Sequence, residues 1–326
     1  MTSLFANAWV PHVATGIVIL AILPLAVGYL VLLERKVLAD LQARLGPMRV
    51  GPHGLLQPIA DALKLLLKED VRPAHAAGPL FIAAPLISVV SALVGFVVIP
   101  FSIGIFVADL NIGILLISAV SALGILGIIL GGWSSNSHYP LLGALRSAAQ
   151  LVSYEVALGL GLLASVMVAG KLSLNAIVDQ QRVAHRWIIF SNYGAMILPF
   201  AVFLVAAIAE TNRVPFDLPE AESELVAGYH TEFSGFRWAL YMLAEWGNVL
   251  VVCAVAVTLF LGGWLRPFPN VSWLGYAFDA ALPLLTFCAL AVYCLHRARR
   301  MYYRYEAGIL VALAIVFFGA GAAFLI

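Results

Sequence analysis

Charged residues are scarce in this chain of 326 residues, in which Asp, Glu, Lys and Arg together make up 11%. Hydrophobic residues make up 63%, and several apolar runs exceed the roughly 18 residues that a membrane-crossing helix needs. This composition excludes an ordinary soluble domain. A net charge of only +1 also argues against nucleic-acid binding, which requires a clear excess of positive charge.

Cysteine is almost absent as well, since only Cys253, Cys288 and Cys294 occur, all within apolar stretches and without metal-ligand spacing. The 7 histidines stand in loops or at the ends of apolar stretches, where they are poorly placed to hold a membrane haem. We therefore expect neither disulfides nor a redox centre in this chain. The cysteines are expected to be small buried hydrophobic residues.

The apolar runs predict an all-α integral membrane protein that forms a single membrane domain over residues 1–326. Eight transmembrane helices are expected, near residues 12–33, 79–101, 109–132, 147–169, 190–209, 238–261, 275–295 and 307–326. The loops after spans one, three, five and seven hold 14 of the 18 Lys and Arg residues. Positively charged loops stay in the cytoplasm, so both termini are predicted on the outer side.

Between the first two spans, residues 54–68 predict a cytoplasmic amphipathic helix. Polar residues recur at helical spacing on one face, as in Gln57, Asp61 and Lys64, whereas leucine and isoleucine line the other. At 1.5 Å per residue the helix reaches only about 22 Å, too short to span, so we expect it to lie flat on the membrane surface. The residues leave open whether it closes the rim of the bundle or gates a ligand.

Acidic residues are concentrated after the fifth span. Five of the 17 acids fall within residues 210–224, namely Glu210, Asp217, Glu220, Glu222 and Glu224. Ordinary helix capping explains Glu220 and Glu222, but not the other three. Closely spaced carboxylates titrate as a group, so such a segment is able to hold and release protons. The segment contains one cation, Arg213, so further partners must come from elsewhere in the fold or from another subunit.

Two more acids, Glu155 and Glu245, lie within predicted spans, about 12 to 14 Å along their helices from Arg146 and Arg237. Ionisable groups at this depth are expensive and usually mark ion or proton paths. The alternative is a structural carboxyl bonded to a neighbouring tyrosine hydroxyl. Two such acids on separate helices favour a proton path that includes Glu210.

Several linked motifs resemble one known family. They are Glu34-Arg35-Lys36, Gly51-Pro52-x-Gly54-x-x-Gln57-Pro58-x-x-Asp61-Ala-x-Lys64, Trp133-Ser-Ser-Asn-Ser, Gly143-Ala-x-Arg146-x-x-Ala-Gln150-x-x-Ser153-Tyr154-Glu155 and Glu210-Thr-Asn-Arg213-x-Pro-Phe216-Asp217. Together they resemble the membrane-embedded H subunit of respiratory complex I, the proton-pumping NADH-quinone oxidoreductase. The resemblance covers residues 34 to 250.

The resemblance implies a subunit of the bacterial inner membrane that joins the membrane arm to the peripheral arm and forms the lower part of a quinone chamber. Ubiquinone or menaquinone would be the substrate, and FMN and iron-sulfur clusters would be held by partner subunits. The implied acidic path comprises Glu155, Glu210, Asp217, Glu220, Glu222, Glu224, Glu232 and Glu245. The implied quinone contacts are Glu34, Arg35, Asp61, Arg213 and Phe216.

The sequence departs from the family pattern near its end, at Met301, Tyr302 and Glu306, where a proline and an arginine are missing. The contacts that this loop would make with the peripheral arm are therefore in question. One alternative function is a membrane subunit of an energy-converting hydrogenase, which shares the fold but not the quinone. Another is a stand-alone proton-coupled transporter, which would show broken helices in two matching halves.

Overall fold

The computed structural model describes residues 10–102, 104–218, 224, 226–265, 272–299 and 304–323, and within these ranges the expected all-α class is confirmed. One isolated β-bridge joins Ser102 and Ile105. Ten α-helices lie in the described residues: α1 (Val10–Leu41), α2 (Gln57–Leu67), α3 (Gly78–Gly95), α4 (Gly113–Ser134), α5 (His138–Ala169), α6 (Leu174–Ala184), α7 (Ile197–Glu210), α8 (Gly235–Phe260), α9 (Ser272–Ala298) and α10 (Arg304–Ala323).

Five of the helices are long and apolar enough to cross a membrane: Val10–Leu41, Gly78–Val98, Gly113–Ser134, His138–Ala169 and Gly235–Phe260. They coincide with five of the eight expected spans. The remaining three expected spans fall on α7, α9 and α10, whose described apolar stretches are shorter, at Ile197–Glu210, Leu284–His296 and Leu310–Gly319. The count of eight stays a prediction.

The chain forms two compact units, one of Met1–Gly28 and Asp61–Leu265 and one of Tyr29–Ala60 and Arg266–Ile326. Helices α1 and α2 contribute residues to both units. The first unit contains α3 to α8 and the second contains α9 and α10. The single membrane domain expected from the sequence stays a prediction.

The segment expected to be amphipathic is helical in the structure as α2, which buries none of its residues within the chain. A turn precedes it, and this turn requires glycine at Gly54: φ is +72°, and an added Cβ would lie 2.3 Å from the carbonyl oxygen of Pro47. The turn residues of the sequence are thus used to start α2. The position of α2 on a membrane surface stays a prediction.

Close helix packing in the first unit depends on the glycines of α4. An added Cβ at Gly131 would meet the Tyr241 hydroxyl of α8 at 2.2 Å, and one at Gly132 would meet the Cβ of Ala144 in α5 at 2.3 Å. The Tyr241 hydroxyl also donates a hydrogen bond to the Gly127 carbonyl oxygen, at 3.2 Å. Small residues let apolar helices approach until their backbones nearly touch. The structure therefore packs α4 closely against α5 and brings the Tyr241 side chain of α8 onto its glycines.

The second unit has its own apolar core, where α9 packs against α10 through Ala291, Cys294, Leu310 and Ala314. Cys294 is buried there, as expected from the sequence. The same expectation is wrong for Cys253, which is exposed, because α8 presents it on the outer surface of the first unit. An apolar span does not require burial of a small side chain, since its outer surface is suited to hydrocarbon.

Replacing Gly132 by alanine is expected to loosen the contact between α4 and α5, because the new methyl group overlaps Ala144 and the Pro140 carbonyl oxygen. Overpacking of this kind costs about 1 to 3 kcal/mol. The melting temperature of the purified complex should fall. Gly308→Ala is the control, because no atom lies within 4 Å of its added Cβ. Equal melting temperatures for both variants would contradict this account of the packing.

Candidate functional site

Three carboxylates that the sequence predicts inside the bundle lie on three neighbouring helices of the first unit. Glu155 is in α5, Glu210 is the last residue of α7, and Glu245 is in the first half of α8. All three are half-buried residues, and the side chain of Glu245 is only 11% exposed. A carboxylate in such surroundings needs a hydrogen-bond donor, a counter-charge or water.

Glu155 and Glu210 line the same cavity, which is partly open to the surface. It has about 80 Å³ of space for water-sized molecules. Its polar lining comes from Ser91, Ser118, Ser121 and Asn248 in addition to the two acids, and the rest is apolar. A buried water needs about 10 to 15 Å³ of such space and two to four polar partners, so the cavity is suited to hold several waters between the two carboxylates.

Glu210 and Glu245 line a second cavity of about 40 Å³, which is shared with Asn212 and Tyr241. Glu210, Ser121 and Asn248 are common to both cavities. The order through the first unit is therefore Glu245, the second cavity, Glu210, the first cavity and Glu155. The structure brings these three predicted acids together.

Arg213 provides the counter-charge for Glu245. A guanidinium nitrogen of Arg213 lies 3.1 Å from a carboxylate oxygen of Glu245. The same guanidinium group stacks over the Trp246 ring, with 4.1 Å between its carbon and the ring centroid. An arginine that pairs with a carboxylate and stacks on an aromatic face loses little freedom in making both contacts. Arg213 thus attaches the loop after α7 to α8.

Gln150 of α5 holds the other side of this loop. Its side-chain nitrogen donates to the carbonyl oxygen of Ala209 at 2.9 Å and to that of Phe216 at 2.8 Å. The Phe216 ring packs edge-on against Tyr154, with the ring centroids 5.2 Å apart. The loop 211–218 is therefore held against α8 at Arg213 and against α5 at Phe216.

The alternative interpretation places each acid in a hydrogen bond with a neighbouring tyrosine hydroxyl. The Tyr241 hydroxyl donates to the Gly127 carbonyl oxygen, while Glu245 pairs with Arg213. The Tyr154 ring packs on Phe216. The hydrogen bond that the Tyr241 hydroxyl donates thus goes to the backbone of α4. A structural role for Glu155 stays the alternative to the proton path.

Of the remaining predicted acids, the three that the structure describes line neither cavity. Glu224 is exposed and forms an ion pair at 2.7 Å with Arg146 of α5. Glu224 thus takes its partner from elsewhere in the fold, one of the two sources expected from the sequence. Asp217 and Glu232 are half-buried in the turns on either side of the acidic segment. Glu220 and Glu222 lie outside the described residues, as do Met301, Tyr302 and the side chain of Glu306.

A buried turn at residues 228–230 precedes α8 in the first unit. His230 is 7% exposed and contacts the rings of Tyr229 and Trp238. Burial lowers the pKa of His230 to about 4, so its ring is neutral at physiological pH. The turn lies against α5, where Gly143 leaves room for the Gly228 backbone.

The residues expected to contact quinone are divided between the two units. Glu34 and Arg35 belong to the second unit, with Glu34 half-buried and Arg35 exposed. Asp61, Arg213 and Phe216 belong to the first unit. A carboxylate oxygen of Asp61 lies 3.8 Å from the side-chain nitrogen of Lys64, which is one turn further along α2. In the described part of the chain, no group of three or more His, Cys, Asp or Glu residues is arranged to hold a metal ion.

Sequence reasoning missed the neutral polar residues of the cavities: Ser88, Ser91, Ser118, Ser121 and Asn248. A signal for them exists in the sequence. Serines three residues apart occur in both α3 and α4, which places each pair on one helix face. Asn248 likewise follows Glu245 by three residues. Paired polar residues in an apolar span indicate an interior-facing stripe.

The fold and the site define a multi-pass α-helical membrane protein with carboxylates along its interior. Residues 14–324 match the family described as NADH dehydrogenase. The chain is 65% identical to one NADH-quinone oxidoreductase H subunit of Solibacter usitatus over 84% of its length and 70% of that protein. It is 46% identical to the H subunit of Rickettsia canadensis over 94% of its length and 90% of that protein.

A third relative, an H subunit of Koribacter versatilis, is 51% identical over 85% of this chain and 67% of that protein. The chain therefore belongs to the family of NADH-quinone oxidoreductase H subunits, which are membrane subunits of respiratory complex I. The resemblance that the sequence motifs carry is confirmed.

Replacing Arg213 by methionine is expected to release the loop 211–218 from α8, because Glu245 loses its ion-pair partner and Trp246 its stacked cation. If the loop loses roughly 1.4 kcal/mol of local stability, it opens about tenfold more often. Hydrogen–deuterium exchange of peptides covering 211–218, measured in the assembled complex, checks this. Arg146→Met is the matched control, since its ion pair with Glu224 is exposed. Equal exchange in both variants would contradict the assignment.

Proposed function

We propose that this subunit forms the quinone chamber of complex I, with the portal through which quinone reaches it, and couples quinone reduction to proton translocation. The observation that carries the proposal is the position of Glu210, which lines both polar cavities and so stands between Glu245 and Glu155. The names of the relatives support the quinone as substrate.

The proposed proton path runs through Glu245, Glu210 and Glu155. Each carboxylate holds a proton or releases it, and water and hydroxyl groups in the two cavities carry the proton between them. Cavities of about 80 and 40 Å³ with serine, asparagine and tyrosine in their linings support this step. Asp217, Glu220, Glu222, Glu224 and Glu232 extend the acidic path on the side of the loop.

The proposed coupling element is the loop 211–218. Arg213 and Phe216 are the expected quinone contacts on this loop, and Arg213 is also the ion-pair partner of Glu245. A change at the quinone that moves Arg213 by a few ångströms alters the field at Glu245, because the interaction between two charges falls with distance. Quinone reduction would thereby change the protonation of the path. Glu34, Arg35 and Asp61 complete the proposed quinone contacts.

The proposal includes the setting of the subunit. We infer eight membrane spans in the bacterial inner membrane, both termini on the periplasmic side, and α2 as an interfacial helix. The partners are the peripheral-arm subunits of the quinone site, which hold the iron-sulfur clusters, and neighbouring small membrane subunits. FMN is held in the peripheral arm. The excess of Lys and Arg in alternate loops supports this orientation.

Glu210→Gln and Glu245→Gln test the proton path, because glutamine keeps the shape of the side chain but neither takes up nor releases a proton. In inverted membrane vesicles each variant should lower NADH-driven proton pumping at least about tenfold, with quinone reduction falling alongside it. Proton pumping is followed with a pH-sensitive dye. Quinone reduction is followed through the decrease in NADH absorbance.

Asp179→Asn is the matched control for these variants. Asp179 lies in α6, where its ion pair with Arg182 is exposed on both sides, so neutralising it should leave pumping at the wild-type level. Normal pumping and normal quinone turnover in both glutamate variants would rule out the proposed path. A loss of pumping in Asp179→Asn would show that the assay responds to any lost carboxylate.

A further inference from the structure

The four serines of the two cavities differ in what their hydroxyls bind. Those of Ser88, Ser91 and Ser118 donate to carbonyl oxygens of their own helices, at Ala84, Ser88 and Ile114. The Ser121 hydroxyl instead donates across the bundle, from α4 to a carboxylate oxygen of Glu210 at the end of α7. Bonds within a helix are the usual arrangement for serine in apolar helices. The bond of Ser121 is therefore the exceptional one among the four.

The end of α7 explains why Glu210 needs this donor. The last turn of a helix presents free carbonyl oxygens and no free N–H groups, so a carboxylate there finds no donor in its own helix. Within the described residues, the Glu210 carboxylate accepts its hydrogen bond from the Ser121 hydroxyl. The orientation of this carboxylate thus depends on one side chain of another helix.

Ser121 also stands at the boundary between the two cavities. Together with Glu210 and Asn248 it lines both of them, whereas Ser118, one turn away on the same helix, lines only the first. A hydroxyl donates one hydrogen bond and accepts others, so it remains a suitable partner whether the carboxyl is ionised or protonated. A side chain with these two properties is suited to hold the Glu210 carboxyl between the two cavities.

We propose that Ser121 is a positioning residue that orients the Glu210 carboxyl so that it faces both cavities. The inference deepens the proposed proton path and rests on it. Without the Ser121 hydroxyl, the Glu210 side chain turns to another rotamer and serves one cavity only. Proton transfer between Glu245 and Glu155 then slows, although all three carboxylates are present.

Ser121→Ala should lower the rate of proton pumping roughly tenfold in inverted vesicles, the factor set by loss of one hydrogen bond to a charged group. Ser121→Thr keeps the hydroxyl and should pump near the wild-type rate. Ser134→Ala is the matched control, since Ser134 lies in the same helix, lines neither cavity and donates its buried hydroxyl to the Gly131 carbonyl oxygen. It should pump normally.

A second readout separates positioning from a loss of packing. The infrared band of the protonated Glu210 carboxyl, identified by its absence in Glu210→Gln, should shift in Ser121→Ala and stay unchanged in Ser134→Ala. The double variant Ser121→Ala with Glu210→Gln should pump no less than Glu210→Gln alone, because Ser121 acts through Glu210.

Normal pumping in Ser121→Ala, an equal loss in Ser134→Ala or in Ser121→Thr, or a further loss in the double variant would each overturn the inference. The result for Glu210→Gln distinguishes the two levels of the proposal. If Glu210→Gln itself pumps normally, the proton path falls. If Glu210→Gln fails to pump while Ser121→Ala pumps normally, the path stands and only the role of Ser121 is lost.

Discussion

The structure of the first unit depends on the cost of holding carboxylates among apolar helices. An unpartnered buried charge costs several kcal/mol, so each acid requires local compensation. The three interior acids are compensated in different ways. Glu245 has the counter-charge of Arg213, Glu210 has the hydroxyl of Ser121, and Glu155 faces the polar cavity that it shares with Glu210. These unequal surroundings make the three sites chemically distinct, as a directional path requires.

Helix α5 connects most of these arrangements. It carries Glu155 in the first cavity, Gln150 on the backbone of the loop after α7, and Tyr154 against Phe216. A displacement of the loop therefore acts on a helix that bears an acid of the proposed path, while Arg213 links the same loop to α8. Two of the residues expected at the quinone, Arg213 and Phe216, thus contact helices that carry acids of the proposed proton path.

The sequence predicts the charged part of this site and misses the neutral part, for a physical reason. A carboxylate in an apolar span stands out because it is expensive, so Glu155 and Glu245 are visible without a structure. A serine there is cheap, because its hydroxyl bonds to a carbonyl of its own helix, and only the register between α4 and α7 distinguishes Ser121 from Ser118. Five expected spans match long helices in the structure, whereas the exposure of Cys253 depends on which face of α8 packs inward.

The end of α7 explains why Glu210 is the central acid. Glu210 is the last residue of α7, and it lines both cavities. The chain continues from there directly into the loop 211–218. One residue is then both a carboxylate between two cavities and the first neighbour of the loop that carries Arg213. A helix that continued past Glu210 would separate the acid from this loop by about 1.5 Å for each added residue, and the direct link between loop and acid would be lost.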